Sequence, residues 1–348
     1  MRITHAKKKQ PSLIIIMSAI ENVEGQTLDI YPPTNANADA TTLAPVIFYV
    51  HGGAWHVGNK STSTDPCEPL ARAGYLCVAT SYSLSYLSNP QIEAAFTGIT
   101  LIMLALALTC PTANQMMVVL VLYLIMLTFF VILWTFMPRG NVTHPDHIMD
   151  VAKNFKWTVE NIHKYGGDPN RIYVAGHSAG GHLASLLSTN SAFLRAEGVE
   201  PDRIKGCISF SGVYSDKRLQ ETGLGKQILK NAFGNRKQYY DAFPIYNISG
   251  ESPPFLLVNS GMDISMKRHT LDFHYALRQA GVFVQTTYFE DLTHWNITKN
   301  WEGSNAHVMK TVTDFIAECQ EHHQAAAARS KGARTAQETR TDGSPLSA

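Results

Sequence analysis

The sequence predicts an α/β fold, with a mostly parallel central sheet covered by helices on both faces. Three observations carry this. Apolar runs of strand length alternate with segments of helical spacing. One strand, PVIFYV (45–50), runs directly into the glycine turn HGGAW (51–55). Another, RIYVAG (171–176), runs into GHSAG (176–180), and a helical stretch follows at once.

The elements read in order as follows. The opening MRITHAKKKQPSLIIIMSAI is basic then apolar, but its apolar run from Leu13 to Met17 is short for a signal peptide, so a first strand is expected there. TLDIY (27–31) is a second strand, stopped by Pro32 and Pro33, and the polar TNANADATT (34–42) is a loop before PVIFYV. CEPLARAGYLCVATSYS (67–83) gives a short helix and a strand, and DHIMDVAKNFKWTVENIHKYG (146–166) has helical apolar spacing. SAGGHLASLLSTN (178–190) is helical. IKGCISFSG (204–212), PPFLLVNSG (253–261) and VFVQTTYFE (282–290) are strands, with YALRQAG (275–281) helical between the last two. Residues 215–249 are polar and helix-prone, a small cap segment. The tail, 322–348, has no apolar pattern and is expected to be disordered. There is no internal repeat.

At 348 residues and 45% hydrophobic content the chain can fill one large core. Its net charge of +1, without a basic stripe, offers nucleic acid no electrostatic footprint. The five cysteines are odd in number and form no C-x-x-C pair, which suits buried thiols in a reducing compartment.

Residues 87–137 interrupt this pattern. The stretch 116–137 has 22 residues and no charge, 92–110 has 19 with only Glu93, and PTANQ (111–115) separates them. At 1.5 Å per residue the longer stretch would rise roughly 33 Å, against a hydrocarbon core of about 30 Å. Its fourteen Leu, Ile, Val and Phe favour insertion by at most about 4 to 8 kcal/mol. Ala94, Gly98, Ala105 and Thr109 put small residues near one face of the first stretch, where a second helix can approach. The expectation is an inserted two-helix membrane hairpin, with residues 92–137 in the bilayer and both ends on one side, so that 1–86 and 138–321 form one catalytic domain. Buried or lid helices of a soluble lipase, or a mistranslated intron, are the alternatives. PTANQ lacks Lys and Arg, whereas Lys7 to Lys9, Arg139, Lys153 and Lys156 lie on the other side, which places the catalytic part in the cytosol. Sequons starting at Asn141, Asn247 and Asn296 point the opposite way.

GHSAG between a strand and a helix has the context of a nucleophile elbow, which would expose the Ser178 hydroxyl on a tight turn. HGGAW can supply backbone N–H groups close to a developing oxyanion, so Gly52 and Gly53, with the N–H of Ala179, are the candidate oxyanion hole. A serine hydroxyl needs a base, and the base needs a carboxylate to orient it. Among fourteen histidines, position selects His294, after the last strand, and Asp263, after the strand before it. Asp291, Glu290, His269 and His274 are runners-up, and His177 and His182 read as structural neighbours. No metal and no cofactor is called for.

Together HGGAW, GGDPNRIYVAGHSAGGHLA, PPFLLVNSGMD and DLTHWNI resemble the α/β-hydrolase superfamily, in the esterase/lipase branch that includes hormone-sensitive-lipase-like carboxylesterases, kynurenine formamidases and isoprenylcysteine methylesterases. The resemblance covers roughly 25–86 and 140–320. It implies the α/β-hydrolase fold and a serine hydrolase of carboxylic esters; for the substrate it is weak, and the expected membrane anchoring is what favours a small-molecule ester with an apolar acyl or prenyl group. An arylformamide amidase and a non-catalytic binding protein on the same scaffold are the alternatives. The departure from the family is the long connection at 87–137. The oligomeric state is not legible in the sequence.

Overall fold

Eight strands make one sheet: β1 (Met17–Glu21), β2 (Thr27–Tyr31), β3 (Ala44–Val50), β4 (Leu76–Thr80), β5 (Gly167–His177), β6 (Ile204–Phe210), β7 (Phe255–Ser260) and β8 (Val284–Phe289). The helices are α1 (Thr64–Arg72), α2 (Pro90–Thr109), α3 (Ala113–Phe136), α4 (Asp146–Asn161), α5 (Ala179–Thr189), α6 (Ser191–Ala196), α7 (Asp216–Leu219), α8 (Gly223–Phe233), α9 (Ile264–Gln279) and α10 (Ala306–Thr341). This computed structural model describes residues 17–21, 27–34, 42–85, 90–136, 142–234 and 239–341; within α2, α3 and α10 the side chains are described for 96–109, 113–129 and 306–323. Lys7 to Lys9, most of the 34–42 loop, Arg139, the Asn141 sequon and residues 342–348 lie outside the described residues.

The sheet order is β1-β2-β4-β3-β5-β6-β7-β8. The six strands from β4 to β8 are parallel, and β2 joins β4 antiparallel, as β1 joins β2. This is the α/β-hydrolase arrangement that the sequence predicts. The central strands are apolar throughout because both faces are covered. On β3, Val46, Phe48 and Val50 enter the core under α4, α5 and α9, while Ile47 and Tyr49 enter the core under α1 and α10. Strands β5 and β7 alternate in the same way, with Ile172 and Val174 against Tyr173 and Ala175, and Phe255 and Leu257 against Leu256 and Val258. Helix α4 answers with Ile148, Val151, Ala152 and Phe155, all buried on one helical stripe. Chain order reverses direction across the sheet between β3 and β5, and in open α/β sheets the crevice at such a point, beyond the strands' carboxyl ends, is where ligands bind.

Residues 90–109 and 113–136 are helical, joined by a short turn, and α2 and α3 pack on each other while hardly touching the rest of the fold. The membrane placement expected of them is corrected here. Among the described residues no helix is long and apolar enough to cross a membrane. The two-span localisation, and the assignment of a cytosolic side that depended on it, fall together. The sequons at Asn247 and Asn296 are structurally engaged: Asn247 Nδ2 donates to the carbonyls of Tyr240 (2.7 Å) and Phe243 (2.9 Å), and Asn296 Oδ1 accepts from Thr293 N–H (2.7 Å). Helix α10 runs on to Thr341 through residues 322–341 of the tail expected to be disordered, where HHQAAAARS is rich in good helix formers.

The chain leaves the core at Ser85 and returns at His144, and the two points are clasped. Ser85 Oγ and His147 Nε2 are 2.7 Å apart, both buried; Ser85 N–H donates to the Trp55 carbonyl (2.8 Å) and His144 N–H to that of Ala232 (2.8 Å). Replacing residues 87–142 by a short Gly/Ser linker is therefore expected to change core stability by about 1 kcal/mol or less, since loop length enters closure entropy only logarithmically. Urea unfolding followed by tryptophan fluorescence checks this; loss of a cooperative transition would show that the two helices hold the core together.

Candidate active site

Ser178 stands at the junction of β5 and α5 with φ 55° and ψ −117°, a conformation that an L residue adopts only when its surroundings impose it. They do so through close backbone packing. A Cβ on Gly176 would lie 2.3 Å from the Gly180 carbonyl oxygen, and one on Gly180 would lie 2.1 Å from that of Val50, at the end of β3. The Ser178 N–H donates to the Phe210 carbonyl (2.8 Å) and its carbonyl accepts from His182 N–H (3.0 Å). The glycines of the motif are thus demanded by space, and the serine is pinned from both sides.

The HGGAW turn lies against this elbow. A Cβ on Gly52 would meet the His177 carbonyl oxygen at 2.8 Å, and Gly53, at φ 126°, would put one 1.9 Å from the Val57 carbonyl oxygen. Ala54 (φ 52°) and Trp55 (φ 64°) are also left-handed. His51 braces the turn: its Nδ1 hydrogen-bonds the Gly52 carbonyl (2.7 Å) and its ring stacks on Tyr82 at 4.4 Å. Trp55 wedges edge-on against His182 and Phe233, each at 5.0 Å. Ala179 opens α5, where N–H groups have no partner within the helix.

Asp263 follows β7 and caps α9, accepting from the Met266 N–H at its Oδ1 (3.2 Å), while Oδ2 lies 2.5 Å from His294 Nδ1. A carboxylate only accepts, so the proton of that bond sits on Nδ1 and Nε2 is left free to act as a base. Burial alone would raise the Asp263 carboxyl; the hydrogen bond and charge of His294, then the Met266 N–H, outweigh it and hold the group below its usual value. Ser178, Asp263 and His294 line one cavity of about 450 Å³, together with Ala54, Trp55, Val213, Leu219, Ile228, Met262, Met266, Thr293 and Trp295. Among the described hydrogen bonds, His294 is joined to Asp263 and not to Ser178; such catalytic contacts tighten when substrate arrives.

The runners-up lie elsewhere. Glu290 is exposed and faces Lys267 at 3.5 Å, and Asp291 is exposed. His269 Nδ1 accepts the N–H groups of Tyr214 (3.2 Å) and Ser215 (3.4 Å), and His274 meets Thr286 Oγ1 (2.9 Å). His182 Nε2 donates to the Ala242 carbonyl (2.7 Å), and the ring of His177 tilts over that of His294 at 4.7 Å. Sequence reasoning missed Ala54, which lines the cavity where Gly52 and Gly53 do not, and the bracing role of His51. The place of both within HGGAW was the available signal. It also missed Leu219 and Ile228, which reach the cavity from the segment expected as a cap. That segment is tied to α9 by Arg218, whose Nε (2.7 Å) and Nη2 (3.1 Å) both reach Asp272.

Burial pushes His147 and His182 down to about 3, and His51 and His269 to about 4. Each is neutral when folded yet takes a proton near pH 6.5 when unfolded, so the stability it contributes is whole above pH 6.5 and is lost as pH falls toward 4 and 3. The depressed Asp263 acts in the same direction at lower pH. Going from pH 7 to 5.5 is expected to remove about 1 kcal/mol per histidine, with roughly one proton taken up on unfolding for each such ring. Urea titrations across that range measure the slope, and a flat stability profile would show that these rings are charged in the folded protein.

Comparison with known proteins bears on the family and the fold. The profile of the BD-FAE family matches residues 28–96 and 111–272. A probable carboxylic ester hydrolase, LipM, of Mycobacterium tuberculosis is 31% identical over 248 residues, which is 68% of this chain and 44% of that protein. The isoprenylcysteine alpha-carbonyl methylesterase ICME of Arabidopsis thaliana is 22% identical over 287 residues, 78% of this chain and 54% of that protein. The chain spans about half the length of the curated relatives it matches. Among solved structures, esterase B from Lactobacillus rhamnosis superposes with a TM-score of 0.63 at 18% identity, over 91% of this chain and 90% of that one, a likeness of fold.

Proposed function

The chain belongs to the BD-FAE family, within the esterase/lipase branch of the α/β-hydrolases, and on that premise we propose that it hydrolyses carboxylic esters through an acyl-enzyme on Ser178. The observation that carries the reading is the 2.5 Å pairing of His294 Nδ1 with Asp263 in a cavity that Ser178 also lines. Ser178 Oγ attacks the acyl carbon while His294 Nε2 takes its proton, and Asp263 keeps the imidazole in the required tautomer and balances its charge. This reading assigns the developing oxyanion to the backbone N–H groups of Gly52, Gly53 and Ala179, with Ala54, the next residue of the turn, on the cavity wall; one such donor is worth about 10² to 10³ in rate. When the tetrahedral intermediate collapses, the acyl–oxygen bond breaks and His294 returns the proton to the leaving alcohol. Water then attacks the acyl-enzyme, with His294 again as base, and the acid leaves. The scheme needs no metal or cofactor.

The cavity lining favours a neutral, apolar substrate. Among the described lining residues, the one side-chain hydroxyl outside the triad is that of Thr293, and the one carboxylate, Asp263, is committed to His294. At ~30 Å³ per water-sized group, 450 Å³ holds on the order of fifteen non-hydrogen atoms, a small ester rather than a polymer segment. The same machinery would open an arylformamide, which makes that amide the informative competitor.

A serine-directed fluorophosphonate is expected to label the protein and to leave Ser178→Ala unlabelled. Ser178→Ala and Asp263→Asn should each lower kcat by about 10⁴ or more with the fold intact. A panel of p-nitrophenyl esters from acetyl to dodecanoyl, run beside an arylformamide, reads the substrate: turnover should peak among the shorter esters. A well-folded protein that neither reacts with the probe nor turns over any ester would reject the proposal.

A further inference from the structure

The cavity has a closed end and a mouth. Trp55, Val213 and Leu219 are 1%, 5% and 8% exposed, whereas Met262 and Trp295 are 64% and 75% exposed although both line the same space. These two exposed apolar side chains each stand one residue from a reacting group, Met262 before Asp263 and Trp295 after His294. A single exposed apolar residue needs no explanation, but a pair flanking the acid and base of one site marks a binding surface.

The exposure of Trp295 is imposed by a well-held loop. Thr293 N–H donates to Asn296 Oδ1 (2.7 Å), Asn305 Nδ2 donates to the carbonyls of Asn296 (2.9 Å) and Lys299 (2.8 Å), and the buried Trp301 donates from Nε1 to the Ile297 carbonyl (3.0 Å). Ile297 is fully buried, so the loop is anchored on the far side of the ring it displays. The Trp295 indole stands edge-to-face with the His294 imidazole, centroids 5.3 Å apart.

The chemistry gives this cavity a polarity. The base that takes the serine proton must deliver it to the leaving oxygen, so the alcohol half of the ester lies against His294. From there it has Thr293 and Trp295 beside it, while the acyl half, bonded to Ser178, has the closed end. We infer that Trp295, with Met262 on the same cavity wall, binds the leaving group, and that the enzyme selects esters whose alcohol half is aromatic or broadly apolar. This rests on the ester-hydrolase reading above. The alcohol departs before water attacks, so Trp295 acts on formation of the acyl-enzyme and not on its hydrolysis.

Benzyl butyrate and methyl butyrate pass through the same butyryl-enzyme and differ only in the leaving group. Trp295→Ala should lower kcat/KM for benzyl butyrate about tenfold, the size of a ring-stacking contact with its buried area, and change methyl butyrate by less than about twofold. Trp295→Phe should keep most of the benzyl preference, and the burst-phase deacylation rate should not move in either variant. Trp295 is exposed, so both variants should unfold at the wild-type urea midpoint, which separates lost selectivity from lost structure. Equal losses on both esters, or none on the benzyl ester, overturn the inference while leaving the ester hydrolase standing. A wild-type protein that turns over neither ester and resists the fluorophosphonate overturns both.

Discussion

The close approach of Gly180 to the Val50 carbonyl oxygen is the constraint on which the site depends. It lets the first turn of α5 come down onto the end of β3, and with Gly176 it leaves no room for any side chain at the crossing. The chain must then reverse sharply at Ser178, which accepts φ 55° at a cost of about 1 to 3 kcal/mol because the strand before it and the helix after it fix both ends. The same packing brings Gly52 of the HGGAW turn against the elbow. Nucleophile and turn are therefore positioned by one junction of two strands and a helix, at the point where the sheet order reverses.

Charge around the site is arranged by contrast. His51, His177 and His182 surround the elbow, and burial keeps all three neutral near pH 7, so they brace loops and fill space without competing for the proton. His294, unlike these three, is paired with a carboxylate. That carboxylate serves twice, capping α9 through one oxygen and orienting the imidazole through the other. Helix dipole and hydrogen bond thus act together on Asp263, and the strand–loop–helix passage from β7 to α9 becomes part of the proposed catalytic geometry.

The α2 and α3 pair shows how far composition can mislead about placement. Counting uncharged residues along the chain gave two stretches that matched a bilayer, and the helices are there, packed on each other. Among the described residues, however, no helix is long and apolar enough to cross a membrane. Their attachment is clearer than their surroundings: Ser85, His147 and the Trp55 carbonyl form a clasp at the root, one residue from the Ala54 that lines the cavity.

What the sequence determined by itself is the sheet and the strand–turn–helix at GHSAG, and it nominated the three polar side chains on which the proposal rests. Strand periodicity, glycine spacing and the order Ser178, Asp263, His294 are local or ordinal properties that survive without coordinates. The tertiary structure decided the rest. Ala54 entered the cavity because the turn bends through two left-handed residues, and Leu219 and Ile228 entered it because Arg218 ties their helices to α9. The exposure of Trp295 beside His294 was equally hidden, since TTYFEDLTHWNI does not say which of its aromatic rings will be buried. Which side chains face a cavity, and how deeply, is set by contacts between segments remote in sequence, and a linear pattern carries no record of those distances.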